Sequence, residues 1–146
     1  MRRVDWLLLL LALSDSSEPL DPVRLQKGMF LMARENRLSV AERYEFVAYD
    51  YGPFSVDIYR DLDALYDAGL VERLQAPGYT WSRYRPTETG IARAQRVVDA
   101  MDGRQRKRAV YLQELKQGVL SMSFRALLQH VYSRYPEYGE NSVFNG

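Results

Sequence analysis

An α+β fold, mostly helical, with a small antiparallel β-sheet and additional helices toward the C-terminus, is what three features of this sequence predict. Several long segments repeat apolar residues at the 3.6-residue period of a buried helix face. Two short aromatic and β-branched runs, "LVERLQ" (70–75) and "YTWSRYRP" (79–86), flank the turn "APG" as the arms of a hairpin do. Helical periodicity then resumes after "PTETG" and continues past residue 103. These features divide the chain into a core over 1–102 and a helical extension over 103–146, which either joins the same domain or serves dimerisation.

The elements follow in order. "MRRVDWLLLLLALSDSSEP" places two arginines before an apolar run, as a secretory signal does. Asp5 interrupts the start of the run, no Ala-x-Ala-like site follows Leu13, and the run is too short to span a bilayer, so it reads as a buried first helix. Asp21 caps a second helix with Pro22 at its first position, where a missing N–H costs nothing. That helix runs to about Glu35 with Val23, Leu25, Met29, Phe30, Met32 and Ala33 on one face and Arg24, Lys27 and Arg34 outside it. Residues 44–51, "YEFVAYDY", read as a short strand that Gly52-Pro53 ends and that could flank the later hairpin in a three-stranded sheet.

Ser55 caps the next helix, which turns Ile58, Tyr59, Leu62, Leu65 and Tyr66 inward and stops near Gly69, a residue suited to the left-handed C-terminal position. After the hairpin, whose three-residue tip predicts a loose turn, Thr87 caps a helix over 86–101 with Ile91, Ala94, Val97, Val98 and Met101 as its buried stripe. Two further helices carry Val110, Leu112, Leu115 and Val119, then Phe124, Leu127, Leu128, Val131 and Tyr132, with a stop at Pro136.

With 146 residues, 47% of them hydrophobic and 27% charged, the chain matches one ordinary globular domain and not a disordered one. A formal charge of +1 leaves any nucleic-acid contact to local patches. Cysteine is absent, which excludes disulfides, thiolate metal sites and a cysteine nucleophile and fits a cytoplasmic protein.

The order helix, helix, strand, helix, hairpin, helix, closed by "YRPTETG", resembles winged-helix regulators, many of which end the wing in "LT-x-x-G". Residues 24–73 also resemble the Panacea (SocA-like antitoxin/adaptor) domain family. The likeness rests on Leu25-Gln26-Lys27 in a "K-L-Q-K-L-L-Y" type helix, on the aromatic run from Phe46 to Pro53 ending in "Y-G-P", and on Tyr59 with Leu62 in the helix that follows. "VYSRYPEYGENS" (131–142) is similar to the end of that group's C-terminal helix. The resemblance implies a non-enzymatic module that neutralises a partner protein or carries it to another.

Two surfaces compete for the function. The leading expectation is a regulatory protein that contacts DNA through its wing and the basic segment "RQRKR", using Arg83, Arg85, Arg93, Arg96, Arg104, Arg106, Lys107 and Arg108 against only Glu88, Asp99 and Asp102. The helix before the wing is a poor reader of DNA, because five aspartates between Asp50 and Asp67 face a single Arg60, and a duplex carries one negative charge per about 1.7 Å. The alternative is a protein-binding antitoxin, adaptor or accessory subunit whose partner is encoded nearby. It would use Tyr51, Asp57, Arg60, Asp61 and Asp67, with eleven tyrosines in the chain to supply rigid amphipathic contacts, of which Tyr44, Tyr49, Tyr51, Tyr59 and Tyr66 cluster around the Gly-Pro turn. A homodimer through the C-terminal helices, or a place in a larger complex, fits either case.

Catalysis finds little footing. His130, the single histidine, sits amid "LLQHVY" with no second ligand at helical spacing. Asp57, Asp61, Asp63 and Asp67 could gather magnesium, yet that spacing is also what a solvated helix shows. "ELK" (114–116) has the Glu-x-Lys spacing of metal-dependent nucleases, but in a helix and without their Pro-Asp strand. Neither an enzyme activity nor a cofactor nor a membrane partner is expected.

Overall fold

The computed structural model describes residues 1–14, 18–75, 77–78 and 80–143. Ala76 and Tyr79 of the expected hairpin tip, and residues 15–17 of the polar break after the first helix, lie outside the described residues. Among the described residues, six α-helices and two small antiparallel two-stranded sheets make up the fold: α1 (Arg3–Ala12), α2 (Pro22–Glu35), β1 (Val47–Tyr49), β2 (Gly52–Phe54), α3 (Val56–Asp67), β3 (Val71–Gln75), β4 (Ser82–Pro86), α4 (Glu88–Asp99), α5 (Gly103–Ser121) and α6 (Phe124–Arg134). None of the described helices is long and apolar enough to cross a membrane.

The leucine run forms the centre. Trp6 through Ala12 are all buried, and α1 packs against α2, α3, α4, α5 and β4. A helix that is apolar all round must be enclosed on all sides, which is what these five neighbours provide. Asp21 caps α2 by accepting from the Arg24 N–H, and Thr87 caps α4 by accepting from the Gly90 N–H, as the sequence predicts. Gly69 ends α3 at φ +75°, the left-handed conformation expected of it.

The strands depart from expectation. Residues 44–51 do not flank the later hairpin. Val47–Tyr49 instead turn through Asp50 and Tyr51 and pair with Gly52–Phe54, so that the Gly-Pro pair begins a return strand of its own. Gly52 allows this with φ +90°. The third partner of the β3–β4 hairpin is Leu20, which exchanges backbone hydrogen bonds of 2.8 and 2.9 Å with Tyr84 just before α2 begins. Leu20 escapes a strand reading because one residue leaves no period to detect.

Helix faces also shift. Ile91 is 40% exposed and Val110 55% exposed, while Gly90, Ala94 and the α5 residues Arg108, Ala109, Leu112, Lys116 and Val119 face inward. Tyr66, expected inside, lies at the surface, where the Arg73 guanidinium stacks 3.9 Å from its ring centre. Two long cations thus occupy core positions that an apolar stripe would assign to neighbours.

One of them belongs to a polar hub. Glu42 accepts from the Trp6 indole N–H (3.2 Å), Gln105 (3.1 Å), Ser39 (3.1 Å) and Arg108 (3.5 Å), joining α1, the 3-10 turn at 40–42 and α5. Burial by itself would push the Glu42 carboxyl up. The hydrogen bonds from Trp6, Gln105 and Ser39 and the charge of Arg108 outweigh it and hold the carboxyl below its ordinary 4.5. A depressed carboxylate contributes stability that is complete above that ordinary value and is lost as pH falls through the folded value. Glu42→Gln is therefore expected to cost about 1–2 kcal/mol at neutral pH. In urea unfolding its deficit against the native chain should shrink as the pH drops below 4.5. A deficit independent of pH would assign the loss to packing.

Candidate interaction site

The start of α2 gathers four distant segments. Arg24 pairs with Asp21 (2.6 Å) and donates to the carbonyls of Val119 (3.2 Å) and Met122 (2.6 Å), fastening the end of α5 and hence the start of α6 beside it. Gln26, buried in the next turn, donates from Nε2 to the Ser55 carbonyl and accepts from the Ser55 N–H, both at 2.8 Å. This side-chain amide mimics a strand partner, and it fixes the junction between β2 and α3. Ser55 occupies the N-cap position of α3 but makes no side-chain cap hydrogen bond there, contrary to expectation.

Between these segments lie two adjoining hollows that share Pro22, Val23, Tyr51 and Tyr59. The wider, about 550 Å³, extends to Trp81 before β4 and Phe124 of α6. The narrower, about 150 Å³, extends to Tyr49, Phe54 and Lys27. Ring contacts line the passage: Tyr49 with Phe54 at 5.2 Å, Phe54 with Tyr59 at 5.8 Å and Tyr51 with Phe124 at 5.6 Å between centres. Tyr49, Tyr51 and Trp81 remain exposed at its rim. Burial pushes the Tyr59 phenol up, so it lines the cleft as a neutral hydroxyl.

Lys27 lines the narrow hollow and is 3% exposed, although its helical position lies outside the apolar stripe. The β1–β2 hairpin covers that second side of α2. Its ammonium donates to the Pro53 carbonyl at 3.2 Å. Burial drives it down to about 8, against the partial support of the Asp21 carboxylate.

The acidic helix has a structural explanation. Asp57 pairs with Arg3 of α1 (3.3 Å) and with Arg60 (3.1 Å). Asp61 pairs with Arg3 (3.7 Å) and accepts from the Tyr44 hydroxyl (2.6 Å), and Asp63 pairs with Arg73 (2.7 Å). Three of the four aspartates on α3 therefore bind cations of this chain, and Arg3 fills the space between Asp57 and Asp61 that a metal ion would take. Among the described residues no group of three or more His, Asp and Glu side chains is placed to hold a metal. Asp67 is exposed, with no ion pair among the described residues.

The basic residues separate as well. Arg108, expected on an exposed strip, is buried against Glu42, Gln105 and the Asn36 carbonyl. Arg106 closes the end of α4 through the carbonyls of Met101 (3.2 Å) and Asp99 (3.3 Å). Arg85 pairs across the hairpin with Glu72, and Arg83 is half-buried with its Nε lacking a hydrogen-bond partner among the described residues. Arg93, Arg96, Arg104 and Lys107 are exposed and make no ion pair among the described residues. His130 is half-buried on α6. In "ELK", Glu114 is exposed and Lys116 fully buried, so the two cannot share a site.

Sequence reasoning singled out Tyr51 and the tyrosines around the Gly-Pro turn. It missed Lys27, Trp81 as a wall of a cleft, and Phe124. A polar pair, Gln26-Lys27, inside a helix otherwise buried from Leu25 to Ala33 was the available signal. In comparison with known proteins, no family model matches this chain, and no curated protein matches it.

Proposed function

We propose that this chain is a non-catalytic protein-binding module, an antitoxin- or adaptor-like subunit of the kind its Panacea resemblance implies, and that it holds its partner in the aromatic cleft. The observation that carries this reading is the cleft itself: Tyr49, Tyr51 and Trp81 exposed around an opening floored by Pro22, Val23 and Tyr59. Aromatic side chains in such a setting give large contact area at low entropic cost, and they dominate interface energetics. The scaffold reads best as a winged-helix-like frame with the β1–β2 hairpin inserted between its second and third helices. Its support is the order α1, Leu20 bridge, α2, α3, β3, β4, α4, with Leu20 paired to the wing.

Complex formation between the tagged chain and the product of its neighbouring gene is expected to weaken at least about tenfold on Tyr51→Ala with Trp81→Ala, as removal of central aromatic anchors does. Asp57→Lys with Asp61→Lys should instead lower stability, since both carboxylates are engaged by Arg3. Unchanged binding by the Tyr51 and Trp81 pair would overturn the reading.

DNA binding stands as a second reading because Arg93, Arg96, Arg104 and Lys107 are exposed without ion pairs among the described residues. Gel shifts on random duplex DNA at about 50 mM salt would support it only if those four, changed to alanine, abolish the shift.

A further inference from the structure

Lys27 and Lys116 are both buried, but their surroundings differ. Lys116 donates to two carbonyls, Leu11 at 2.8 Å and Leu13 at 2.9 Å, at the C-terminal end of α1, where the helix dipole is negative. Lys27 meets one carbonyl, Pro53, in the middle of a helix, with two of its three N–H groups unspent among the described residues. A buried ammonium without a counter-charge is costly, and buried charges are ordinarily paired. The nearby acid cannot fill that role: the Asp21 carboxylate already accepts from the Arg24 N–H and guanidinium.

The hollow beside Lys27 holds about 150 Å³, room for roughly one apolar side chain with its carboxylate, and it shares Pro22, Val23, Tyr51 and Tyr59 with the wider hollow lined by Trp81. An internal acidic side chain brings a carboxylate but no apolar group to fill the aromatic part of the hollow. A chain end carries its carboxylate and its last side chain on one Cα. Asp50 lines the hollow too, but it is exposed and screened by solvent, whereas Lys27 acts from the interior, where charge interacts more strongly.

We propose that this hollow receives the C-terminal carboxylate of the partner chain, with one carboxylate oxygen on Lys27 Nζ and the last apolar side chain among Tyr51, Phe54 and Tyr59. The preceding residues cross the wider hollow between Val23, Phe124 and Trp81. This rests on the protein-binding reading above and names the chemistry of the partner segment.

Isothermal titration of the full chain with a short peptide ending in phenylalanine tests it, comparing the free acid with its C-terminal amide. The free acid is expected to bind about tenfold or more tightly than the amide, the scale of a hydrogen bond to a charged group. Lys27→Met should remove that preference while leaving the thermal transition intact. Should that variant not fold, the acid and amide on the native chain still decide. Equal affinities for acid and amide, or no binding of either, would overturn the proposal. So would 3-phenylpropionate binding as tightly as the peptide, which would make the site one for a free small carboxylate. If the carboxylate preference is absent but partner binding still depends on Tyr51 and Trp81, only the carboxylate seat fails. Loss of that dependence removes the reading beneath it.

Discussion

Gly90→Ala should be the most damaging single-methyl substitution in this chain, lowering stability by about 3 kcal/mol or more, at or beyond the usual range for overpacking. A Cβ at position 90 would stand 1.9 Å from the Leu70 carbonyl oxygen and 2.9 Å from its carbon, and both atoms are backbone. Neither partner can retreat. The same Leu70 oxygen accepts from the Thr87 N–H at 3.0 Å, and the Thr87 hydroxyl donates to the Gly69 carbonyl at 2.7 Å while accepting from the Gly90 N–H at 3.0 Å. The first turn of α4 is thereby stitched to the start of β3, and the glycine of "PTETG" is the contact that lets helix and strand touch. Gly69→Ala and Gly103→Ala provide the comparison in urea unfolding, since nothing lies within 4 Å of an added Cβ at either position. Gly69→Ala should cost about 1 kcal/mol for its positive φ, and Gly103→Ala close to nothing. A Gly90→Ala chain within about 1 kcal/mol of the native one would mean that α4 is not seated this closely.

Lys116→Met is expected to cost about 3 kcal/mol, because it keeps most of the side-chain volume yet leaves the Leu11 and Leu13 carbonyls without their ammonium donor. The last turn of α1 contains no basic residue and ends inside the protein, so its unpaired carbonyls depend on a donor from elsewhere. Lys116 brings that donor from α5 with 0% exposure. Lys116→Ala should be worse by the cavity it opens. Lys27→Met makes the informative contrast: it frees one carbonyl and removes a buried charge, and the two effects oppose, so stability should stay within about 1 kcal/mol of native. The sign can be checked with pH. A lysine held at about 8 binds its proton less readily when folded than unfolded, so the native chain should gain stability relative to Lys27→Met as pH rises through 8. A Lys116→Met chain as stable as native would show that water, not the lysine, satisfies the end of α1.

Much of the frame was legible before the structure, for local reasons. Asp21-Pro22 marks the start of α2 because a cap and a missing N–H are properties of adjacent residues, and α2 ends at Glu35 as expected. Thr87 and Gly69 are legible on the same grounds. The leucines of α1 announce a buried helix by composition alone. The site was legible only in its tyrosines, which cluster along the chain around Gly52-Pro53.

What the sequence by itself determined is therefore the set of helices, the caps of α2 and α4 and the second hairpin, all governed by interactions within a few residues. The tertiary structure decided which polar groups go inside and which surfaces converge. Arg108 and Lys116 are buried because a carboxylate or carbonyls from 66 to 105 positions away satisfy them, Lys27 is buried against a single carbonyl 26 positions away, and helical periodicity carries no record of such partners. The aspartates of α3 looked like a free acidic face until Arg3, more than fifty residues earlier, met two of them. The cleft joins residues from Asp21 to Phe124, brought together by Arg24 and Gln26, and no local pattern could have shown that Lys27 lines the same hollow as Tyr49, Tyr51, Phe54 and Tyr59.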